Sequence, residues 1–258
     1  MLTPGEKNKI FADASFKQHQ ILTKDKAVKW CIENRTKKLI PVEIEEVLAK
    51  EVRVEIYLGD KTVFLEASPH NLDELVLGHA CLELISKDYY PVIIKKDEYK
   101  FWLQAKKKNL KNDLPRRSTW TIAPEQILTV SEEFRNWPGL WEGTGCFHKA
   151  FVWDVQAKTF LFKVEDISRH NCIDRIFGLA SQRNFDLNSS IIFISSRVTA
   201  SLLQKIAKTS LAMVVSLSAV SARALHIARA QGISLIGFAR SGRFTVFADG
   251  RKRIGYAF

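Results

Sequence analysis

The chain has 258 residues, 46% of them hydrophobic, and a formal net charge of +11. That length suits one large domain or two small ones with a full core, and the charge predicts an anionic partner: nucleic acid, a phosphorylated small molecule or an acidic protein surface. The four cysteines, Cys31, Cys81, Cys146 and Cys172, form no C-x-x-C pair, which excludes a zinc ribbon or a dithiol redox motif.

Residues 1–36 are polar and lysine-rich and read as an extension, with a helix expected over Lys24–Asn34. No secretory signal and no apolar run of about 20 residues is found, so a cytoplasmic protein with reduced thiols and no membrane span is expected. Residues 37–112 read as a β-rich subdomain with one helix. Val52–Leu58 alternates strictly, Gly59-Asp60 turns the chain, and Thr62–Leu65 answers as the second strand of a hairpin. Leu72, Leu75, Val76, His79 and Leu82 then recur at helical spacing behind Asn71 as the expected cap, with His79 read as a packed core histidine. Pro91–Ile94 and Tyr99–Leu103 give two more strands. Residues 113–126 are polar and read as a mobile loop or linker, and a short helix is expected to follow to Asn136.

Residues 127–258 read as an α/β core. Strands near 159–164, 190–195, 211–216 and 233–238 alternate with helices near 169–182, 198–208 and 220–231, and Arg243–Phe247 closes the chain as a last strand. Ile191–Ile194 and Ala212–Val215 are continuous apolar runs, as in strands buried on both faces, so a sheet between two helical layers is expected.

The stretch from Val164 to Gly178 carries the densest chemistry. A strand delivers Glu165, Asp166, Ser168, Arg169, His170 and Asn171 to a helix N-terminus, with Asp166 or Ser168 as its cap, and Asp174 shares a face with His170. This is either a ligand site of the α/β kind or a cap plus one His–Asp pair. Ser195-Ser196-Arg197 and Ser216-Leu217-Ser218 follow the next strands, and Arg240 and Arg243 follow the one after. Hydroxyls, arginines and free N–H groups at helix starts favour a phosphorylated, nucleotide-like ligand. Upstream, Thr144, Gly145 and His148 lie where glycines allow either close backbone approach or a plain turn. The H-x-E and P-C-x-x-C pair of zinc deaminases is absent, so no catalytic zinc is expected. Neither a G-x-S-x-G elbow, a P-loop nor a G-x-G-x-x-G is found.

At these residues the chain resembles the FdhD family, the formate dehydrogenase accessory sulfurtransferases. The resemblance lies in Thr144-Gly145-Cys146-Phe147-His148, in Glu165 to Asp174, in Ser195-Ser196-Arg197 and in Gly237 to Phe244. It implies a three-layer α/β/α, cytidine-deaminase-like core with a smaller β-rich N-terminal subdomain, and a homodimer. It also implies that the molybdenum bis(guanine dinucleotide) cofactor is bound, with guanosine diphosphate as its surrogate, and that sulfur passes to it from a cysteine desulfurase on behalf of formate dehydrogenase. A nucleic-acid-binding role, resting on scattered charge, ranks behind it.

The chain departs from the family at the loop that usually carries C-G-x-C-G, which here reads Arg116 to Pro124 without a cysteine. Cofactor binding without sulfur transfer is therefore the alternative. Cys146 and Cys172, standing for glycine and alanine, are substitute thiol candidates, since a thiolate near Arg169 or a helix N-terminus would be activated. The plainer reading is preferred: both are small buried fillers.

Overall fold

The computed structural model describes residues 18–108 and 119–255. Arg116, Arg117 and Ser118 of the cysteine-free loop lie outside them, as does the start of the N-terminal extension.

After one helical turn, α1 (Gln18–Ile21), the strands β1 (Leu22–Ile32) and β2 (Leu39–Ala49) pair antiparallel over their whole length as a two-stranded ribbon. The helix expected over Lys24–Asn34 is thus a strand. With most of both faces in solvent, β1 has no buried row to give it a period of two, and its pairing with β2 decides the outcome. Val28, Trp30, Ile32 and Leu39 stand exposed along the ribbon.

A four-stranded sheet follows in the order β4-β3-β6-β5, from β3 (Val52–Leu58), β4 (Lys61–Ala67), β5 (Tyr89–Asp97) and β6 (Lys100–Lys107). Val54, Ile56, Phe101 and Leu103 form its buried row and pack on Leu72, Leu75 and Val76 of α2 (Leu72–His79). Asn71 does not cap α2 with its side chain. It takes a left-handed φ of 44°, and its carbonyl accepts from Arg175 Nη1 at 3.0 Å.

The larger sheet runs β12-β11-β10-β9-β7-β8. Its strands are β7 (His148–Asp154), β8 (Thr159–Asp166), β9 (Ser190–Ile194), β10 (Met213–Ser216), β11 (Ser234–Arg240) and β12 (Arg243–Ala248). The apolar runs form β9 and β10, which pair parallel at its centre and are buried throughout. One face packs on α5 (Arg169–Gln182), α6 (Ala200–Ile206) and α7 (Ala222–Gln231). The other packs on α3 (Pro124–Asn136) through Ile127, Val130 and Phe134. The result is a three-layer α/β/α core. The described end of the 113–126 segment is tied to it: Ile122 bridges Ile254, and Trp120 Nε1 donates to Asn188 O at 2.9 Å.

The two parts join where α2 crosses α5. A Cβ on Gly78 would fall 1.8 Å from the Asp174 carbonyl oxygen, and one on Gly178 would fall 1.9 Å from that of Glu74. Only glycine at both positions lets the backbones approach this closely. No helix among the described residues is long and apolar enough to cross a membrane.

Candidate functional site

The register of the large sheet brings the polar clusters to one end. His148 pairs with Asp166, Lys149 with Glu165, and Ile194 with both Ala150 and Ser216. The ends of β8, β9 and β10 and the start of β7 therefore form one rim, as the sequence predicts. What the side chains do there differs from residue to residue.

Asp166 is fully buried and works inside the fold. Arg175 Nε donates to its Oδ2 at 2.8 Å, and Asn171 Nδ2 donates to its Oδ1 at 3.0 Å. Arg175 also donates to the carbonyls of Ser68, His70 and Asn71, and Asn171 to that of Glu66. Asp166, Asn171 and Arg175 thus fasten the small sheet and α2 to the core. Buried charges need such partners, because an unpaired one is costly in a low dielectric. Neither expected cap holds: the side chain of Ser168 makes no capping bond, and Asp166 Oδ1 accepts from Ser168 N at 3.0 Å.

Glu165 also turns away from a ligand role. Its carboxylate accepts from Leu140 N at 3.0 and 3.2 Å, mooring the short helix α4 (Leu140–Thr144). Burial pushes its pKa up to about 7. The serine hydroxyls are engaged too. Ser195 Oγ accepts from Lys149 N at 2.9 Å, while Ser216 Oγ donates to Ser196 O at 2.7 Å and accepts from Ser218 N at 2.9 Å. They brace the rim. Arg240 and Arg243 stand exposed on the β11–β12 hairpin.

Cationic groups remain. Arg169 Nε is buried and has no hydrogen-bond partner among the described residues. Burial lowers the pKa of His148, and the charges of Arg169 and Arg197 lower it further against the opposing pull of Asp166, so both guanidiniums act on this imidazole. Arg197 is exposed. A buried donor without an acceptor, next to a second guanidinium acting on the same imidazole, is chemistry that an anion would satisfy.

A cavity of about 520 Å³ opens beside the N-terminus of α5. It is lined by Ser168, His170, Asn171 and Asp174 of the motif, and also by Cys146 and Phe64. His79 and Lys205 line it as well, and sequence reasoning missed both in this role. His79 Nδ1 lies 3.0 Å from Asp174 Oδ2, and Lys205 Nζ donates to both oxygens of Asp174 at 2.9 Å. His170 does not pair directly with Asp174; its Nε2 lies 3.3 Å from Ser201 Oγ. Lys205 had a legible signal: it follows Leu202 by three and precedes Ile206 by one, which puts a lysine on the buried face of a helix. The two cysteines separate. Cys172 is buried, and burial raises its thiol pKa far above the ordinary value, as the filler reading requires. Cys146 is exposed, which corrects that reading for this residue: the αL turn at Gly145 leads it out of the core.

Comparison with known proteins shows the family. The family model for the FdhD/NarQ family matches residues 95–254, and the chain belongs to that family. It is 29% identical to Protein FdhD of Methanocaldococcus jannaschii, over 81% of this chain and 91% of that protein. It is 26% identical to the Sulfur carrier protein FdhD of Staphylococcus aureus, over 76% of this chain and 84% of the relative. A solved structure from Desulfotalea psychrophila, described as a formate dehydrogenase accessory protein, superposes with a TM-score of 0.73 at 20% identity, covering 91% of this chain and 99% of that one.

Proposed function

We propose that this member of the FdhD/NarQ family is an accessory factor for the maturation of formate dehydrogenase, and that it takes the molybdenum bis(guanine dinucleotide) cofactor as cargo at the rim of its large sheet. The observation that carries the reading is the buried Nε of Arg169, which has no hydrogen-bond partner among the described residues, with Arg169 and Arg197 both acting on His148. A phosphate oxygen would satisfy that donor, and the two guanidiniums would offset its charge. The adjacent cavity, with Phe64 in its lining, offers room for the attached nucleoside.

Within the same reading the protein works in the cytoplasm, receives sulfur from a cysteine desulfurase and forms a homodimer. The exposed row Val28, Trp30, Ile32 and Leu39 supports the dimer, since a two-stranded ribbon is marginal in water by itself. Light scattering on the purified chain tests that part.

Calorimetric titration tests the ligand. Guanosine diphosphate is expected to bind and guanosine to bind at least 10-fold more weakly, because each charge-assisted hydrogen bond contributes about 1.5–3 kcal/mol. Arg197→Ala is expected to weaken the diphosphate and leave guanosine unchanged. Equal affinity for the two ligands would refute the proposed anion site.

A further inference from the structure

Resting on the sulfur-carrier reading above, we propose that Cys146 is the persulfide-bearing residue of this chain and that His79, held by Asp174 and Lys205, is the base that takes its thiol proton.

The four cysteines differ in what the fold does to them. Cys172 is buried with its thiol held protonated, and Sγ donates to His148 O at 3.5 Å. Burial also raises the pKa of Cys81, and Cys31 sits near the far end of the ribbon, paired with Ile40. Cys146 alone among the four is both exposed and part of the cavity lining.

Its position is built. Gly145, at φ 66°, ends α4 in the left-handed conformation that glycine tolerates. Thr144 Oγ1 accepts from Cys146 N at 3.1 Å and donates to Leu140 O at 2.9 Å. Leu140 N is held by Glu165, Lys149 Nζ donates to Trp137 O at 2.8 Å, and Phe147 is buried just beyond. Thr144, Gly145 and Glu165 therefore serve the presentation of Cys146.

The base is built in the same way. His79 is only 9% exposed, and Asp174, itself 0% exposed, accepts from its Nδ1–H. Lys205 Nζ donates to both Asp174 oxygens at 2.9 Å and fixes the carboxyl group in place. That tautomer leaves the Nε2 lone pair free, and Nε2 has no partner among the described residues. The carboxylate–imidazole arrangement is the one that orients a general base toward a nucleophile. The other ionisable groups lining the cavity are His170, Glu51 and Glu66.

The step balances as a thiol–disulfide exchange. His79 Nε2 takes the proton of Cys146. The thiolate attacks the outer sulfur of a donor cysteine persulfide, and a new S–S bond forms on Cys146 as the donor's S–S bond breaks. The donor leaves as a thiolate and recovers the proton, with no net oxidation or reduction.

The full chain is incubated with low-molecular-weight cysteine persulfide and read by intact and peptide mass spectrometry. One added sulfur on the Cys146 peptide is expected, lost in Cys146→Ser and kept in Cys31→Ser and Cys81→Ser. His79→Asn retains a donor toward Asp174 and removes the base. It is expected to slow loading at neutral pH by about 100-fold, with the rate then climbing as rising pH ionises the thiol without help. Added sulfur that persists in Cys146→Ser overturns the proposal, and a wild-type rate and pH profile in His79→Asn overturns the role of the base. An unloaded wild type that still binds guanosine diphosphate overturns the cysteine assignment and leaves the cofactor reading standing. An unloaded wild type that also fails to bind the nucleotide removes both.

Discussion

Arg169 and Arg175 lie within two turns of each other on α5, yet the fold treats them oppositely. Arg175 is 1% exposed and bonded to Asp166 and to three carbonyls of the α2 approach. Arg169 keeps a buried Nε with no acceptor among the described residues. A saturated guanidinium has nothing left to offer a ligand, whereas an unsaturated one carries a standing cost until an anion arrives. One helix start thus has two sides: its inner side fastens the small sheet to the core, and its outer side is the proposed anion site.

The comparison breaks first at Arg175. Arg175→Met leaves Asp166 buried without its cation, and about 3–5 kcal/mol of stability should be lost. Urea unfolding followed by circular dichroism measures it, and a loss below 1 kcal/mol would mean that Asp166 has other support. Gly178→Ala tests the joint that the same helix makes. Its Cβ would meet Glu74 O, so α2 and α5 must separate, at about 1–3 kcal/mol. Arg169→Gln should leave stability within about 0.5 kcal/mol, since Arg169 Nε bonds to nothing among the described residues.

A smaller effect concerns Glu165, on the strand that leads into α5. Its carboxyl has a pKa of about 7 when folded, against an ordinary 4.5, with burial as the cause. The folded chain therefore binds this proton more tightly than the unfolded chain, and the contribution to stability falls as pH rises from 4.5 to 7. Glu74 is raised to about 7 by burial and acts in the same direction. Glu165→Gln should flatten that fall, which thermal melts at pH 5 and pH 7.5 would show as a smaller difference than in the wild type.

Much of the core was legible in the chain itself. Continuous apolar runs marked β9 and β10, and the polar approach to α5 marked its start, because burial on two faces and a helix entry each leave a local pattern. The ribbon left none, since an exposed strand pair needs no alternation. Within the site, residue types predicted a ligand rim, but not which members the fold would consume. Asp166, Asn171 and Glu165 read like ligand groups, yet their partners, Arg175, the Glu66 carbonyl and Leu140 N, are brought up by folding. His79 and Asp174 are 95 positions apart, a pairing that only the α2–α5 crossing creates.

The central claim is that the Arg169 side of α5 is the anion site. Calorimetric titration of guanosine diphosphate into Arg169→Gln beside the wild type tests it most directly, with matched thermal melts to show that both are folded. Binding to the wild type and at least a 10-fold loss in the variant is the predicted result, the effect of one charge-assisted contact. Equal affinity in the two proteins would contradict it and move the ligand away from this rim.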